Sequence, residues 1–425
     1  MARLPGQGGT VMSPSFFAHP HQAFTAGFYK SDWDFEVRIV LGMAAHGGAE
    51  PGEVLATIAT IGDGDHQEWF DAWVALGRRV AGTAKLCADG GHRQSAAGAY
   101  LRAANYLAVA VNAVDGLKST DPLLPTFREH RAAWDGFVST APYPVETVDI
   151  PYEGTTLPGF FFSPDRTGAA RPTLIMTNGS DGAISSLWAS GAAGALERGY
   201  NVLLFDGPGQ QSMLFERNVP FRFDWEAVTT PVVDFLLTRS DVDPATIALY
   251  GISQAGYWVP RSLAFEHRIA AAIADPGVVD VATSWLDHMP KSMVKLLHDG
   301  DREKFDKDMA LGMKMPGAGK RAWAFRARPY QRTGYFDTMA EVLKYNVTDV
   351  AASITTPLLI TDPEDEQFWP GQSEKLAALI PGETELVPFT AAEGANFHCQ
   401  PMARLLTEQR MFDWLDSKLG RVHLD

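Results

Sequence analysis

Apolar residues in the first third of the chain recur every three or four positions. The runs DFEVRIVLGMAAHG (34–47), HQEWFDAWVALGRRVAGTAKLCADG (66–90) and SAAGAYLRAANYLAVAVNAVDG (95–116) each end on Gly or Asp-Gly. This spacing predicts amphipathic helices, and in the second run it puts Trp69, Trp73, Leu76 and Val80 on one face. Strand-like runs are missing, so residues 1–140 are expected to form a helical N-terminal domain.

The pattern changes at Pro142-Tyr143-Pro144. Residues 146–152 and 154–164 read as two strands joined by a Gly turn. Short, wholly apolar runs then alternate with helical ones: PTLIMTNG, YNVLLFDGPG, TIALYGIS, AAAIADPG, PLLITDPED and TELVPFT are the strands. Strands that are apolar throughout belong in a parallel sheet covered on both faces. The crossover rule makes that sheet doubly wound. Residues 141–425 are therefore expected to form an α/β catalytic domain. Helical, Met-rich residues from about 277 to 350 interrupt it between the sixth and seventh strands, where a lid is expected.

Composition narrows the partners. With 51 acidic against 36 basic residues, a formal net charge of −15 disfavours nucleic acid and anionic membranes. Cys87 and Cys399 are the two cysteines; they make neither a disulfide framework nor a metal motif, and no metal is expected. No run approaches the roughly 20 apolar residues of a membrane span. The opening residues lack the basic start and apolar core of a secretory signal. The expectation is a soluble cytoplasmic enzyme acting on a small molecule.

Gly251-Ile252-Ser253-Gln254-Ala255-Gly256 follows the apolar run 247–250 and precedes a helical stretch. It reads as a G-x-S-x-G-type turn with small neighbours, which lets the chain fold sharply and expose the Ser253 hydroxyl. Ser253 is the candidate nucleophile of an α/β-hydrolase fold. His398 follows the last strand, where the general base of that chain order belongs. The acid is sought in 362–370, which carries Asp362, Glu364, Asp365 and Glu366. Aligning Pro370 with the Pro of a G-x-x-D-x-x-x-P layout selects Glu366, with Asp365 as runner-up and Asp275 a distant third. Backbone N–H groups of Gln254 and of Ser180 or Gly179 are the candidate oxyanion donors. Tyr257, Trp258, Trp285, Phe368 and Trp369 are candidates for an aromatic substrate wall.

GHRQSAAGAYLRAANYL (91–107), FDGPGQ (205–210), LYGISQAGY (249–257) and GANFHC (394–399) together resemble the 2,6-dihydroxypseudooxynicotine hydrolase family and the fungal hydrolases that shorten pigment polyketides. The resemblance implies a cofactor-free Ser-acid-His enzyme, a homodimer, and an active site between the hydrolase core and the helical domain. Several such relatives cleave a carbon–carbon bond beside a ketone. This chain departs from them in Glu366 for the usual Asp, in Pro363 for Gly, in NGSDG for a Gly-Gly pair, and in a longer lid. Three outcomes stay open: hydrolysis of a C–C, ester, amide or thioester bond; acyl transfer, cyclisation or dehydration on the same site; and a non-catalytic binding scaffold.

Overall fold

A computed structural model describes residues 27–30, 32–315 and 319–421. The opening segment read for a secretory signal, through residue 26, lies outside the described residues. Among the described residues five α-helices precede the sheet: α1 (Trp33–Gly42), α2 (Pro51–Ile58), α3 (His66–Asp89), α4 (Arg93–Ala113) and α5 (Leu123–Thr140). Asp65 starts α3 by accepting hydrogen bonds from the Gln67 and Glu68 amides at 3.1 and 3.0 Å. Such a cap satisfies donors that the first turn leaves unpaired. Trp69, Trp73, Leu76 and Val80 are all buried.

Eight strands follow: β1 (Val145–Tyr152), β2 (Thr155–Phe162), β3 (Arg171–Thr177), β4 (Asn201–Phe205), β5 (Val242–Ile252), β6 (Ala271–Asp275), β7 (Leu358–Pro363) and β8 (Thr384–Phe389). They form one sheet in the order β1-β2-β4-β3-β5-β6-β7-β8. β1 and β2 pair antiparallel, β2 pairs antiparallel with β4, and the remaining neighbours are parallel. Alternation along the strands sends side chains to two cores. Phe160, Phe162, Leu174, Met176 and Tyr250 pack with Trp134, Trp188 and Phe412. Phe161, Ile175, Leu203 and Leu249 pack on the other side with Trp225, Val232 and Trp258.

The helices between the strands are α6 (Ala193–Glu197), α7 (Gln211–Phe215), α8 (Glu226–Leu237) and α9 (Ala255–Leu263). The helical stretch between β3 and β4 is not continuous. Residues Trp188–Ala192 make a wider π turn before α6, because Gly191 takes φ 154° against Met176 and Tyr250. Among the described residues the α-helices between β6 and β7 are α10 (Thr283–Leu286), α11 (Lys291–His298), α12 (Arg302–Gly312), α13 (Gly319–Ala327) and α14 (Tyr335–Val342). Helices α15 (Gln372–Leu379) and α16 (Arg404–Lys418) complete the chain.

Trp134 on α5 is fully buried and joins the helical segment to the sheet. Its ring meets Phe160 edge-on at 5.5 Å and Phe137 at 5.2 Å. Trp134→Ala is expected to destabilise the fold by about 3–5 kcal/mol, the usual cost of emptying a large aromatic site. Urea unfolding checks this through the midpoint at constant m-value; a loss below about 1 kcal/mol would show that α5 is not anchored through this ring.

Candidate active site

Strand β5 runs into α9 through Ser253, whose φ is +57°. A non-glycine residue in this left-handed region is held there against a steric cost. Two glycines make the bend possible. A Cβ on Gly251 would lie 2.5 Å from Val259 and 2.6 Å from the Ala255 carbonyl; one on Gly256 would lie 1.8 Å from the Pro276 carbonyl. The second small position of the turn is Ala255, so the glycine expected there sits one residue later, at Gly256. The Ser253 amide donates to the Asp275 carbonyl at 2.6 Å, fastening the turn to the end of β6.

Ser253 Oγ lies 2.8 Å from His398 Nε2, and His398 Nδ1 lies 2.8 and 2.9 Å from the two Glu366 oxygens. Asp362 lies within β7 itself, and the three carboxylates that follow it are sorted by their partners. Glu364 accepts from the Ala391 amide at 2.7 Å and Asp365 from Asn396 at 2.6 Å, so of these two neighbours neither engages His398. Asp365, the runner-up acid, instead ties its loop to the one before His398. Glu366 also accepts from the Phe368 and Trp369 amides at 2.9 and 3.2 Å. Burial raises its pKa, but the His398 ring and these hydrogen bonds outweigh burial and hold the carboxyl below its ordinary value. Phe368, Trp369 and, from α1, Phe35 surround the imidazole at ring separations of 4.7, 5.7 and 6.3 Å.

The loop bearing His398 is pinned from beneath. Cys399 and Gln400 both have positive φ, 55° and 43°. Arg404 donates to the Cys399 carbonyl at 2.7 Å, and Gln400 to the Asp275 carboxylate at 3.0 Å. That carboxylate, fully buried, also accepts from Thr361 at 2.6 Å and Tyr250 at 2.9 Å. Asp275 is thus a structural acid beside the site, with no contact to the imidazole.

Asn178-Gly179-Ser180-Asp181-Gly182 closes over Ser253. A Cβ on Gly179 would sit 2.7 Å from the Ser253 Cβ, so only glycine allows this approach. Its N–H donates to Asn178 Oδ1 at 2.9 Å, which corrects the expectation that offered Gly179 as an oxyanion donor. The amides of Ser180 and Gln254 have no acceptor among the described residues. Gln210 braces this loop, its Nε2 donating to the Asn178 and Gly179 carbonyls at 2.6 and 3.3 Å. Nothing in the chain pattern marked Gln210 for that work beyond its place in the DGPGQ loop.

Ser253 and His398 open on a cavity of about 740 Å³. Of the expected aromatic wall, Trp285, Phe368 and Trp369 line it; Tyr257 and Trp258 do not. Those two are a correction: they project from the buried face of α9, Tyr257 donating to the Phe223 carbonyl at 2.9 Å and Trp258 stacking on Trp225 at 4.2 Å. One wall went unrecognised in the sequence. Phe35, Glu36, Ile39 and Val40 line the cavity from α1, with Asp32 and Met43 at its two ends. Gly42 brings that helix close, since a Cβ there would meet the Pro401 carbonyl at 1.6 Å. Arg326, from α13, faces the same space, stacked 4.2 Å over Trp285, its pKa lowered by burial. Among the described residues there is no cluster of His, Cys, Asp and Glu able to hold a metal ion, and no helix long and apolar enough to cross a membrane.

No protein-family model matches the chain. It is 31% identical to the hydrolase LUC6 of a Fusarium species, over 94% of this chain and 98% of that one. It is 30% identical to the 20-hydroxy-prefusarin hydrolase FUS2 of Gibberella moniliformis, over 93% and 98%. The crystal structure of 2,6-dihydroxy-pseudo-oxynicotine hydrolase superposes with a TM-score of 0.71 at 20% identity, covering 89% of this chain and 95% of that one. Full-length similarity to named hydrolases, on a sheet of this order, means that the chain belongs to the α/β-hydrolase family.

Proposed function

We propose that this protein is a serine hydrolase that cleaves a small, polyketide-like metabolite at a carbonyl group. The observation carrying the reading is the unbroken relay from Ser253 through His398 to Glu366, opening on one cavity. His398 takes the Ser253 proton as the hydroxyl attacks the carbonyl carbon, and Glu366 stabilises the imidazolium and holds the ring in place. The amides of Gln254 and Ser180 receive the oxyanion, with the N-terminus of α9 adding positive partial charge. His398 then protonates the leaving group, and water, activated by the same imidazole, releases the acyl group.

The FUS2 name supports a polyketide-like substrate and a place in secondary metabolism. The bond is a carbon–carbon bond beside a ketone, or an ester, amide or thioester. We assign residues 1–140 to a helical domain, 141–425 to the catalytic domain and about 277–350 to its lid; the assembly we propose is a homodimer located in the cytoplasm.

Hydrolysis of phenyl acetate provides the test. Ser253→Ala is expected to lower kcat/KM by about 10⁶-fold and Glu366→Gln by about 10⁴-fold, the scale seen when a triad nucleophile or its orienting acid is removed. Asp365→Asn is expected to stay within about twofold, because its carboxylate serves Asn396. A larger loss in Asp365→Asn than in Glu366→Gln would reassign the acid.

Phe35, Phe368 and Trp369 crowd the imidazole and restrict water at the base, which favours acyl transfer as a second reading. Turnover in ¹⁸O-water separates the two. Hydrolysis places one ¹⁸O in the carboxylate product; transfer or cyclisation places none.

A further inference from the structure

Three arginines line the cavity among the described residues: Arg326, Arg328 and Arg404. Two of them are spent on carboxylates. Arg328 pairs with Asp115, just beyond α4, and Arg404 stands 3.5 Å from the Asp275 carboxylate. Arg326, on α13, makes no ion pair among the described residues. Its Nη1 donates to the Ser284 carbonyl at 3.0 Å and its Nη2 to the Ser284 hydroxyl at 2.7 Å, while Nε–H has no acceptor among those residues. The guanidinium carbon lies 4.2 Å from the centroid of the Trp285 ring. A cation drawn out of water without a counter-ion is costly, and burial lowers the pKa of this one. The ring and the two hydrogen bonds nevertheless hold the fork in one geometry, so a ligand meeting it gives up little side-chain entropy.

Neighbouring groups connect this cation to the nucleophile. Trp285 meets Tyr330 at 5.9 Å, and burial raises the Tyr330 pKa against the opposing charge of Arg326. Tyr330 stands beside Gln254, the residue after Ser253, and neither Tyr330 Oη nor Gln254 Nε2 completes a hydrogen bond among the described residues. Arg326, Tyr330, Gln254 and Ser253 thus follow one another along a single wall. The carboxyls of the cavity leave the cation unspent. Asp181 attracts Arg326 without pairing with it, and burial raises the Asp181 pKa against the pull of Ser180, His398 and Arg326. Glu36, raised to about 8 by burial and by Asp181 and Asp32, is neutral below that pH.

We propose that Arg326 binds a carboxylate of the substrate, which makes a keto acid, or another acyl compound with an anionic end, the preferred class. The inference deepens the serine-hydrolase reading and rests on it. Guanidinium and carboxylate meet as planar two-point partners, a match that a neutral amide of the same shape cannot equal. The carboxylate takes no part in bond breaking. It anchors one end of the molecule on the insertion while the reacting carbonyl lies at Ser253, so binding energy gained away from the chemistry positions the group that reacts.

The test measures initial rates of Ser253 labelling by a neutral fluorophosphonate in the presence of protecting ligands. These are the ω-benzoylalkanoic acids from 3-benzoylpropionic to 6-benzoylhexanoic acid, each paired with its primary amide. In wild type at pH 6.5 the acid of the best-fitting length is expected to halve labelling at about tenfold lower concentration than its amide, the worth of one charge-assisted hydrogen bond. Arg326→Met should bring each pair within about twofold, and Arg326→Lys, which keeps the charge without the fork, should retain part of the preference. Because each ratio is taken within one protein, any effect of the substitution on Ser253 itself cancels. Acids and amides that protect wild type equally at every length overturn the proposal without need of a variant, and so does a preference that survives in Arg326→Met. Folded wild type that takes no label at Ser253 removes the serine-hydrolase reading and this inference together; label without preference removes this inference alone.

Discussion

The amide of Ser253 donates to the carbonyl of Asp275, and much of the site hangs from that bond. It holds a non-glycine residue at φ +57° at the junction of β5 and α9, where the hydroxyl must leave the sheet. The same residue organises the opposite loop. Its side chain, at the end of β6, gathers Thr361 from β7, Tyr250 from β5 and Gln400 from the loop after His398. Arg404 links this cluster to the Cys399 carbonyl, one residue beyond the imidazole. One buried carboxylate thereby sets the separation between the two loops that bring Ser253 and His398 to 2.8 Å. A buried carboxyl is tolerable here because Thr361, Tyr250 and Gln400 donate to it and the Arg404 guanidinium stands 3.5 Å away.

Much of this frame was legible in the chain, for reasons that differ by element. Wholly apolar runs such as 172–177 and 247–252 mark strands covered on both faces, and the sheet contains them. Ser253 and His398 could be read because a strand–turn–helix junction and a loop after the last strand are local features. Glu366 could be read only through spacing, from Pro370; the hydrogen bonds of Glu364 to Ala391 and of Asp365 to Asn396 span loops that spacing cannot bring together.

The errors share a cause. Tyr257 and Trp258 lie close to Ser253 in sequence, but a helix turns each side chain by about 100° from the last, and α9 buries both against Trp225 and Phe223. Gly179 is a candidate donor by its place in the loop after β3. Its N–H is taken by Asn178, and the absence of a side chain is what matters there. The α1 wall was invisible for a further reason: Gly42 meets Pro401 across some 360 residues of chain, a contact no periodicity reports. Glu36 on the cavity wall and Glu366 behind the imidazole end with opposite proton affinities, Glu36 raised by burial beside other carboxylates and Glu366 held low by His398.

The most direct measurement is the intact mass of folded wild type and of Ser253→Ala after exposure to a small fluorophosphonate. The account requires wild type to gain the mass of a single adduct and Ser253→Ala to gain none. An adduct of equal yield on Ser253→Ala would place the reactive nucleophile elsewhere and contradict the reading of the β5–α9 turn.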